Sequence, residues 1–137
     1  MEAVILSFLA GFPILMLHSS VTLAILVIAT FLYVKITPYD EIALIKDGNT
    51  AAAISLAGAI MGFALPLAFA MASSVTVFEI LIWGPVTLLL QLVVFRITDI
   101  LLSDLPKRII SGQIGSAIFL VSIKIAVAVI NAAAVTG

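Results

Sequence analysis

The 137-residue chain contains no cysteine, a single histidine and few charged residues. The absence of cysteine excludes disulfides, thiolate catalysis and the usual iron–sulfur and zinc frameworks. One histidine, His18, cannot supply a metal cluster. Six Lys or Arg residues stand against seven Asp or Glu residues, so no basic surface is available for nucleic acid. The sequence therefore predicts no metal site, no cofactor and no nucleic-acid partner.

Apolar residues make up most of the chain. They account for 64% of it, charged residues for only 9%, and the mean hydropathy is +1.40. A soluble domain has about 45–50% apolar and about 25% charged residues. A small water-soluble fold cannot hide such an apolar surplus, because it still needs a polar surface. The composition therefore predicts an all-α integral membrane protein whose solvent is the lipid bilayer.

Charged residues divide the chain into apolar stretches. No charge occurs between Glu2 and Lys35 or between Asp47 and Glu79, and each stretch exceeds the roughly 20 residues that span a bilayer. Two further apolar stretches follow. We predict one membrane domain, residues 1–137, with four transmembrane helices near 13–34, 50–72, 80–102 and 109–135. They pair as two helical hairpins, at about 13–72 and 78–135.

The N-terminal residues fit this division less well. A single helix over residues 3–34 would be about 48 Å long, more than the hydrocarbon core requires. Either Pro13 kinks this helix or residues 3–12 lie at the membrane interface. The N-terminus lacks the basic region of a signal peptide, so we expect it to be retained.

The basic residues predict an orientation. Lys35 and Lys46 flank or lie in the first loop, and Arg96, Lys107 and Arg108 flank or lie in the third. The two termini and the second loop have none. Because basic residues concentrate in cytoplasmic loops, we expect the first and third loops in the cytoplasm and both termini outside.

The first loop contains a predicted short helix at about 38–46. Thr37 is expected as its N-cap, Pro38 at its first position and Asp40 near its positive end. This helix would lie on the cytoplasmic face and bind a membrane-associated partner protein. Its candidate contact residues are Pro38, Tyr39, Asp40, Glu41, Lys46 and Asn49. The carboxylates predicted on this side are expected to be solvated: Asp40, Glu41, Asp47, Asp99 and Asp104.

Lys124 lies midway along the fourth predicted span, where a lysine costs roughly 2.5–3.5 kcal/mol on insertion scales. Its ammonium should therefore face protein or water, either as a structural donor or as part of a pathway. Gln91 lies at a similar depth in the third span, on one face with Thr87. We expect Lys124 to form an intramembrane polar cluster with Gln91, Asn131 and Thr87, as a donor to Gln91 or Asn131. In that role its replacement by methionine should be tolerated.

Other residues have predicted roles at the membrane interface or in helix packing. Glu79, His18 and Trp83 are candidate polar residues of the outer side, with Trp83 as an interfacial anchor. Gly58 and Gly62 allow close helix approach in the second span, and Pro66 is expected to kink it. Paired carboxylates within one span, a phosphate-binding loop and a His–nucleophile pair are all missing, so no enzymatic activity is predicted.

A weak internal repeat of 64 residues relates the two predicted hairpins. Direction is preserved between two-helix units, so this would be a parallel repeat. Matching residues in the first half are Ile45, Gly48, Asn49, Ala53, Ile54 and Leu56, and in the second half Ile109, Gly112, Gln113, Ala117, Ile118 and Leu120. Such matches also arise by chance in apolar sequence.

Several motifs together resemble the YjfL-like family, domain of unknown function 350. They cover nearly the whole chain: 35–41 (KITPYDE), 44–46 (LIK), 49–52 (NTAA), 65–67 (LPL), 83–84 (WG), 91–92 (QL) and 131–133 (NAA). The resemblance implies a bacterial inner-membrane protein of two repeated hairpins and no particular activity. A genomic association of such proteins with membrane-remodelling proteins implies a membrane-stress role. Lys124 departs from the family pattern, and so does the lack of a cysteine after Asn131-Ala132-Ala133.

Two hypotheses for function follow from the sequence. The first is a non-enzymatic membrane component that forms a homo-oligomer and recruits a cytoplasmic partner. The alternative is a small oligomeric channel or transporter that uses the polar faces of the third and fourth helices.

Overall fold

The computed structural model describes residues 1–137 and contains six α helices. They are α1 (Glu2–Ile36), α2 (Glu41–Lys46), α3 (Thr50–Ser73), α4 (Val77–Leu101), α5 (Asp104–Ile110) and α6 (Ile114–Val135). Four of them, α1, α3, α4 and α6, are long and apolar enough to cross a membrane, in agreement with the predicted spans. The fourth begins at Ile114 rather than near residue 109, because α5 and a turn occupy the preceding residues.

α3 is the central helix of the bundle. It contacts every other helix and carries the largest set of buried residues. Its small residues explain this position: Gly58 lies against the Val121 side chain of α6, and Gly62 against the ring of Phe95 in α4. A Cβ atom at either glycine would collide with its neighbour, so the two helix contacts depend on the missing side chains.

The long helices form two parallel pairs. α3 and α6 start together, since the Asn49 side-chain amide donates to the carbonyls of Ile109 and Ile110 at 3.1 Å. They also end together, where Ala70 and Ala134 line one cavity. α1 and α4 run the opposite way. We call the end that carries α2 and α5 the loop-helix end, and the other the far end.

α2 and α5 are followed by similar turns. Gly48 and Gly112 have φ angles of 88° and 89°, a left-handed conformation that glycine adopts without strain. The next residues, Asn49 and Gln113, are the N-caps of α3 and α6. The Asn49 side chain accepts from the Ala52 N–H at 3.0 Å. Each short helix is thereby connected to the following long helix through one tight reversal.

The predicted start of the loop helix was wrong. α2 begins at Glu41, and its N-cap is Asp40, whose carboxylate accepts from the Ala43 N–H at 3.0 Å. The Thr37 hydroxyl instead donates to the Tyr33 carbonyl at 2.7 Å, so it belongs to the end of α1. With Thr37 so engaged, Pro38 and Tyr39 form the connection between the two helices. The third loop also contains a short helix, α5, which has seven residues against six in α2.

α1 is one continuous helix that includes residues 3–12 and Pro13. Its 35 residues correspond to about 52 Å at 1.5 Å per residue, while a bilayer core is about 30 Å thick. Residues 1–17 are exposed, the partly buried positions of α1 begin at His18, and its first fully buried residue is Ala29. The first 17 residues of the chain are therefore left uncovered by the rest of the bundle.

Candidate functional site

Lys124 is paired inside the bundle. Its side chain is 1% exposed, and Nζ lies 2.8 Å from Oδ1 of Asp99 in α4. Nζ also donates to the Tyr33 hydroxyl of α1 at 3.1 Å. Because helix side chains lean toward the helix N-terminus, the ammonium is displaced toward the loop-helix end, where α1 and α4 finish.

Three aromatic rings pack beside this ion pair. The Lys124 ammonium lies 5.3 Å from the ring centroid of Tyr33 and 5.2 Å from that of Phe95, which is within cation–π range. Phe63 of α3 completes the group, with ring centroids 5.6 Å from Tyr33 and 5.0 Å from Phe95. We call Tyr33, Phe63 and Phe95 the aromatic layer. All three are at most 1% exposed, so the ammonium is shielded from lipid.

Glu41, the first residue of α2, is fully buried at 0% exposure. Neither of its carboxylate oxygens has a hydrogen-bond donor in acceptable geometry. Burial raises the pKa of Glu41 to about 7, and the Lys124 ammonium and the nearby Tyr39 hydroxyl only partly oppose this rise. Together with Tyr33, Asp99 and Lys124 it forms what we call the buried ionic cluster.

The prediction that the carboxylates of this end are solvated was therefore wrong for two residues. Glu41 is buried, and the Asp99 side chain is only 13% exposed. Asp40, Asp47 and Asp104 are exposed as predicted. The difference arises because Glu41 faces the bundle from the first turn of α2, and Asp99 faces Lys124.

A cavity of about 350 Å³ opens at the loop-helix end, and Asp99 is the only member of the buried ionic cluster that lines it. Asp99 and Tyr39 line it from the bundle side. Two basic residues, Arg96 and Lys107, line it with Ser103. Asp99 is thus the member of the cluster that water reaches most directly.

A second polar group lies toward the far end. The Asn131 side-chain amide donates to Oε1 of Gln91 at 2.7 Å, and the Gln91 nitrogen, also buried, has no partner. Thr87, 3% exposed, lies with Asn131 and Glu79 around a cavity of about 500 Å³. The expected polar cluster is therefore divided: Gln91 and Asn131 meet, whereas Lys124 binds Asp99 and Tyr33 instead.

The remaining candidate residues occupy simpler positions. Glu79 accepts from the Val75 N–H at 2.7 Å, at the start of α4, and Trp83 beside it is 57% exposed. His18 is half-buried, and its backbone carbonyl accepts from the Thr22 hydroxyl. Pro66 is buried within α3. In the first loop Pro38 and Lys46 are exposed and Tyr39 is half-buried, whereas Asn49 is occupied as a cap.

Sequence reasoning missed Tyr33, Phe95 and Asp99. For the last two a signal existed: the i+4 series that joins Thr87 and Gln91 in α4 continues through Phe95 to Asp99. Extending that series by two turns would have given the partner of Lys124. Tyr33 has no comparable signal, since only packing of α1 against α3 and α4 brings it to the cluster.

Four apolar helices that enclose buried polar groups define a polytopic helical membrane protein. Residues 7–135 match the family model described as Domain of Unknown Function (DUF350), and the chain belongs to this family. It is 34% identical over 113 residues to the UPF0719 inner membrane protein YjfL of Escherichia coli K12, and equally to that of strain O157:H7. These matches cover 82% of this chain and 86% of each relative. No solved structure matches.

The predicted family resemblance is thereby confirmed. The chain is an inner membrane protein with several apolar helices, and its place is the lipid bilayer.

Proposed function

We propose that this protein is a non-enzymatic inner-membrane component that assembles with copies of itself through α1. The observation that carries the proposal is the exposed N-terminal half of α1. Residues 1–17 are all exposed, although only Glu2 among them is charged. Such a long apolar helix with no neighbour in its own chain is typical of an association surface.

Helix lengths support a protein partner rather than lipid alone. α3, α4 and α6 have 24, 25 and 22 residues, which correspond to about 33–38 Å and match a bilayer with its interfaces. α1 exceeds them by 10 or more residues, so part of its apolar surface extends past the other helices. Phe8 and Phe12, with ring centroids 5.2 Å apart, lie in this part. A second copy, with the same excess length, would cover this surface along its whole extent.

The lack of cysteine makes self-association directly testable. A Leu9→Cys variant carries a single thiol on exposed α1, and oxidation in native membranes should give a disulfide-linked dimer in high yield. Val75→Cys is the matched control, because Val75 is exposed at 82% but lies outside α1. We expect little dimer from the control. Equal yields from both variants, or a monomeric mass in nanodiscs, would contradict the proposal.

We propose further that the loop-helix end is cytoplasmic and that both termini are periplasmic. The support is the concentration of Lys and Arg near α2 and α5. Reporters fused after Gly137 or inserted at Ser74 should be active only in the periplasm, and one inserted at Asp47 only in the cytoplasm. A cytoplasmic C-terminal reporter would overturn this orientation.

A cytoplasmic partner and a membrane-stress role complete the proposal. The support is the exposure of Pro38, Asp40, Ile42 and Lys46 around α2, in the loop that carries the most specific family motif. Glu41 and Asn49 are removed from the candidate contact residues, because one is buried and the other caps α3.

The two hairpins are also proposed to be a repeat. The support is the pair of matching turns 64 residues apart, with left-handed Gly48 and Gly112 before the N-caps Asn49 and Gln113.

The alternative function, a small channel or transporter, is favoured by one observation. Cavities of about 500 and 350 Å³, each lined in part by polar residues, lie at opposite ends of the bundle, and the aromatic layer lies between them. Transport would require this layer to open. Selective ion flux into liposomes that contain the purified protein would favour the alternative over a scaffold.

A further inference from the structure

The groups around Glu41 come from every helix that packs near it. Tyr33 of α1, Tyr39 of the preceding loop and Ser55 of α3 are neutral. Asp99 of α4 and Lys124 of α6 are charged. Arg96 of α4 and Lys107 of α5 lie farther out, on the wall of the cavity beside Asp99. The buried ionic cluster therefore contains two carboxyl groups and one ammonium.

The single cation is already engaged. Lys124 binds Asp99 and the Tyr33 hydroxyl. The Tyr39 hydroxyl lies beside Glu41, but no donor meets hydrogen-bond geometry at either Glu41 oxygen. With both carboxyl groups ionised, the buried cluster would hold a net charge of −1 and an acceptor without a partner. A lone carboxylate in such a dry site is very costly, and the usual outcome is that the group takes up a proton.

We propose that Glu41 is a proton-binding site. Protons reach it from the loop-helix end through the cavity beside Asp99, and the aromatic layer closes the site toward the far end. Glu41 itself does not line this cavity, so a proton from its water passes by way of the Tyr39 hydroxyl, which lines the cavity and lies beside Glu41, to a Glu41 carboxylate oxygen. The neutral acid forms, and release returns the proton to the cavity water along the same route. An inorganic cation fits less well, because it would lie next to the Lys124 ammonium and find few oxygen ligands. This assignment is independent of self-association through α1.

The composition permits a direct measurement on the full chain in lipid nanodiscs. Only three glutamates occur, Glu2, Glu41 and Glu79, so ¹³C-labelled glutamate gives a simple infrared signal for protonated carboxyl groups. We expect one labelled glutamic acid band to persist to neutral pH, with its midpoint near the pKa of about 7 for buried Glu41. Glu41→Gln should remove this band, and the exposed control Glu2→Gln should leave it unchanged.

The pH dependence of thermal stability gives a second, label-free measurement. The pKa of Glu41 is raised above its ordinary 4.5, so the folded state holds a proton that the unfolded state has lost between pH 4.5 and about 7. The stabilising effect is complete below this window and declines as pH rises through it. The melting temperature of the wild type should fall accordingly, and that of Glu41→Gln should change less.

Two results would overturn the assignment. In the first, all three labelled glutamates titrate together near the ordinary glutamate pKa of 4.5. In the second, the persistent band is lost at constant pH as sodium or potassium is added, which would assign the site to an inorganic cation.

Discussion

A Lys124→Met variant is expected to lose about 3–5 kcal/mol of folding free energy, because removing one partner of a buried ion pair leaves the other charge uncompensated. Asp99 would lose the ammonium 2.8 Å from its carboxylate, and Tyr33 the donor to its hydroxyl. Glu41, already without a donor, would lose the only buried cation near it. Methionine fills a similar volume, so the loss reports on charge rather than on packing.

This expectation reverses the one drawn from the sequence, in which methionine at position 124 was tolerated. That inference assumed that Lys124 donates to a neutral amide. Apolar replacement of a buried ion pair is harmless only when both partners are replaced together. The Lys124→Met/Asp99→Asn double variant should therefore recover much of the loss, by removing both charges.

The measurement is denaturant or thermal unfolding in detergent, compared across the wild type, the two single variants and the double variant. Lys46→Met is the matched control, because Lys46 is exposed and its replacement should change stability by less than about 0.5 kcal/mol. If the double variant is no more stable than Lys124→Met alone, the ion pair does not account for the role of Lys124.

The position of Lys124 illustrates what sequence could and could not predict. Its burial followed from its depth in an apolar span. Gln91 and Asn131 were predicted as members of one polar cluster, and these two side chains do meet. The predicted contact between Lys124 and Gln91 is wrong because the depth of each residue in the membrane was taken from its Cα position. A lysine side chain is long and leans toward its helix N-terminus, so the ammonium lies nearer the level of Asp99.

The long helices were predictable because length, hydropathy and the spacing of charges determine where a chain can cross lipid. The burial of Glu41 could not be predicted from these features. Beside exposed Asp40 and Asp47, it has the local signature of a solvated loop acid, and only the docking of α2 on the bundle buries it. Which side of a six-residue helix faces the protein is a tertiary property, and so short a segment carries little periodic signal.

The second large effect is expected at the two glycines of α3. A Gly58→Leu/Gly62→Leu double variant should fail to fold in mild detergent, because both added side chains enter occupied space. Even single alanines should cost about 1–3 kcal/mol each, the usual range for overpacking a well-filled core. Gly58→Ala should be the more damaging of the two. Its added methyl group would meet the stiff, branched side chain of Val121 close to the Val121 backbone, whereas a methyl group at Gly62 would meet only the tip of the Phe95 ring.

Two comparisons distinguish overpacking from a change in helix propensity, and both use the unfolding midpoint and the elution volume in detergent. Gly115→Ala, at a helical glycine with no atom near its missing Cβ, should be neutral or stabilise by up to about 1 kcal/mol. Gly58→Ala combined with Val121→Ala should recover stability, because the second change empties the space that the first one fills. If Gly58→Ala is as stable as Gly115→Ala, then α3 and α6 do not make the close contact that centres this bundle.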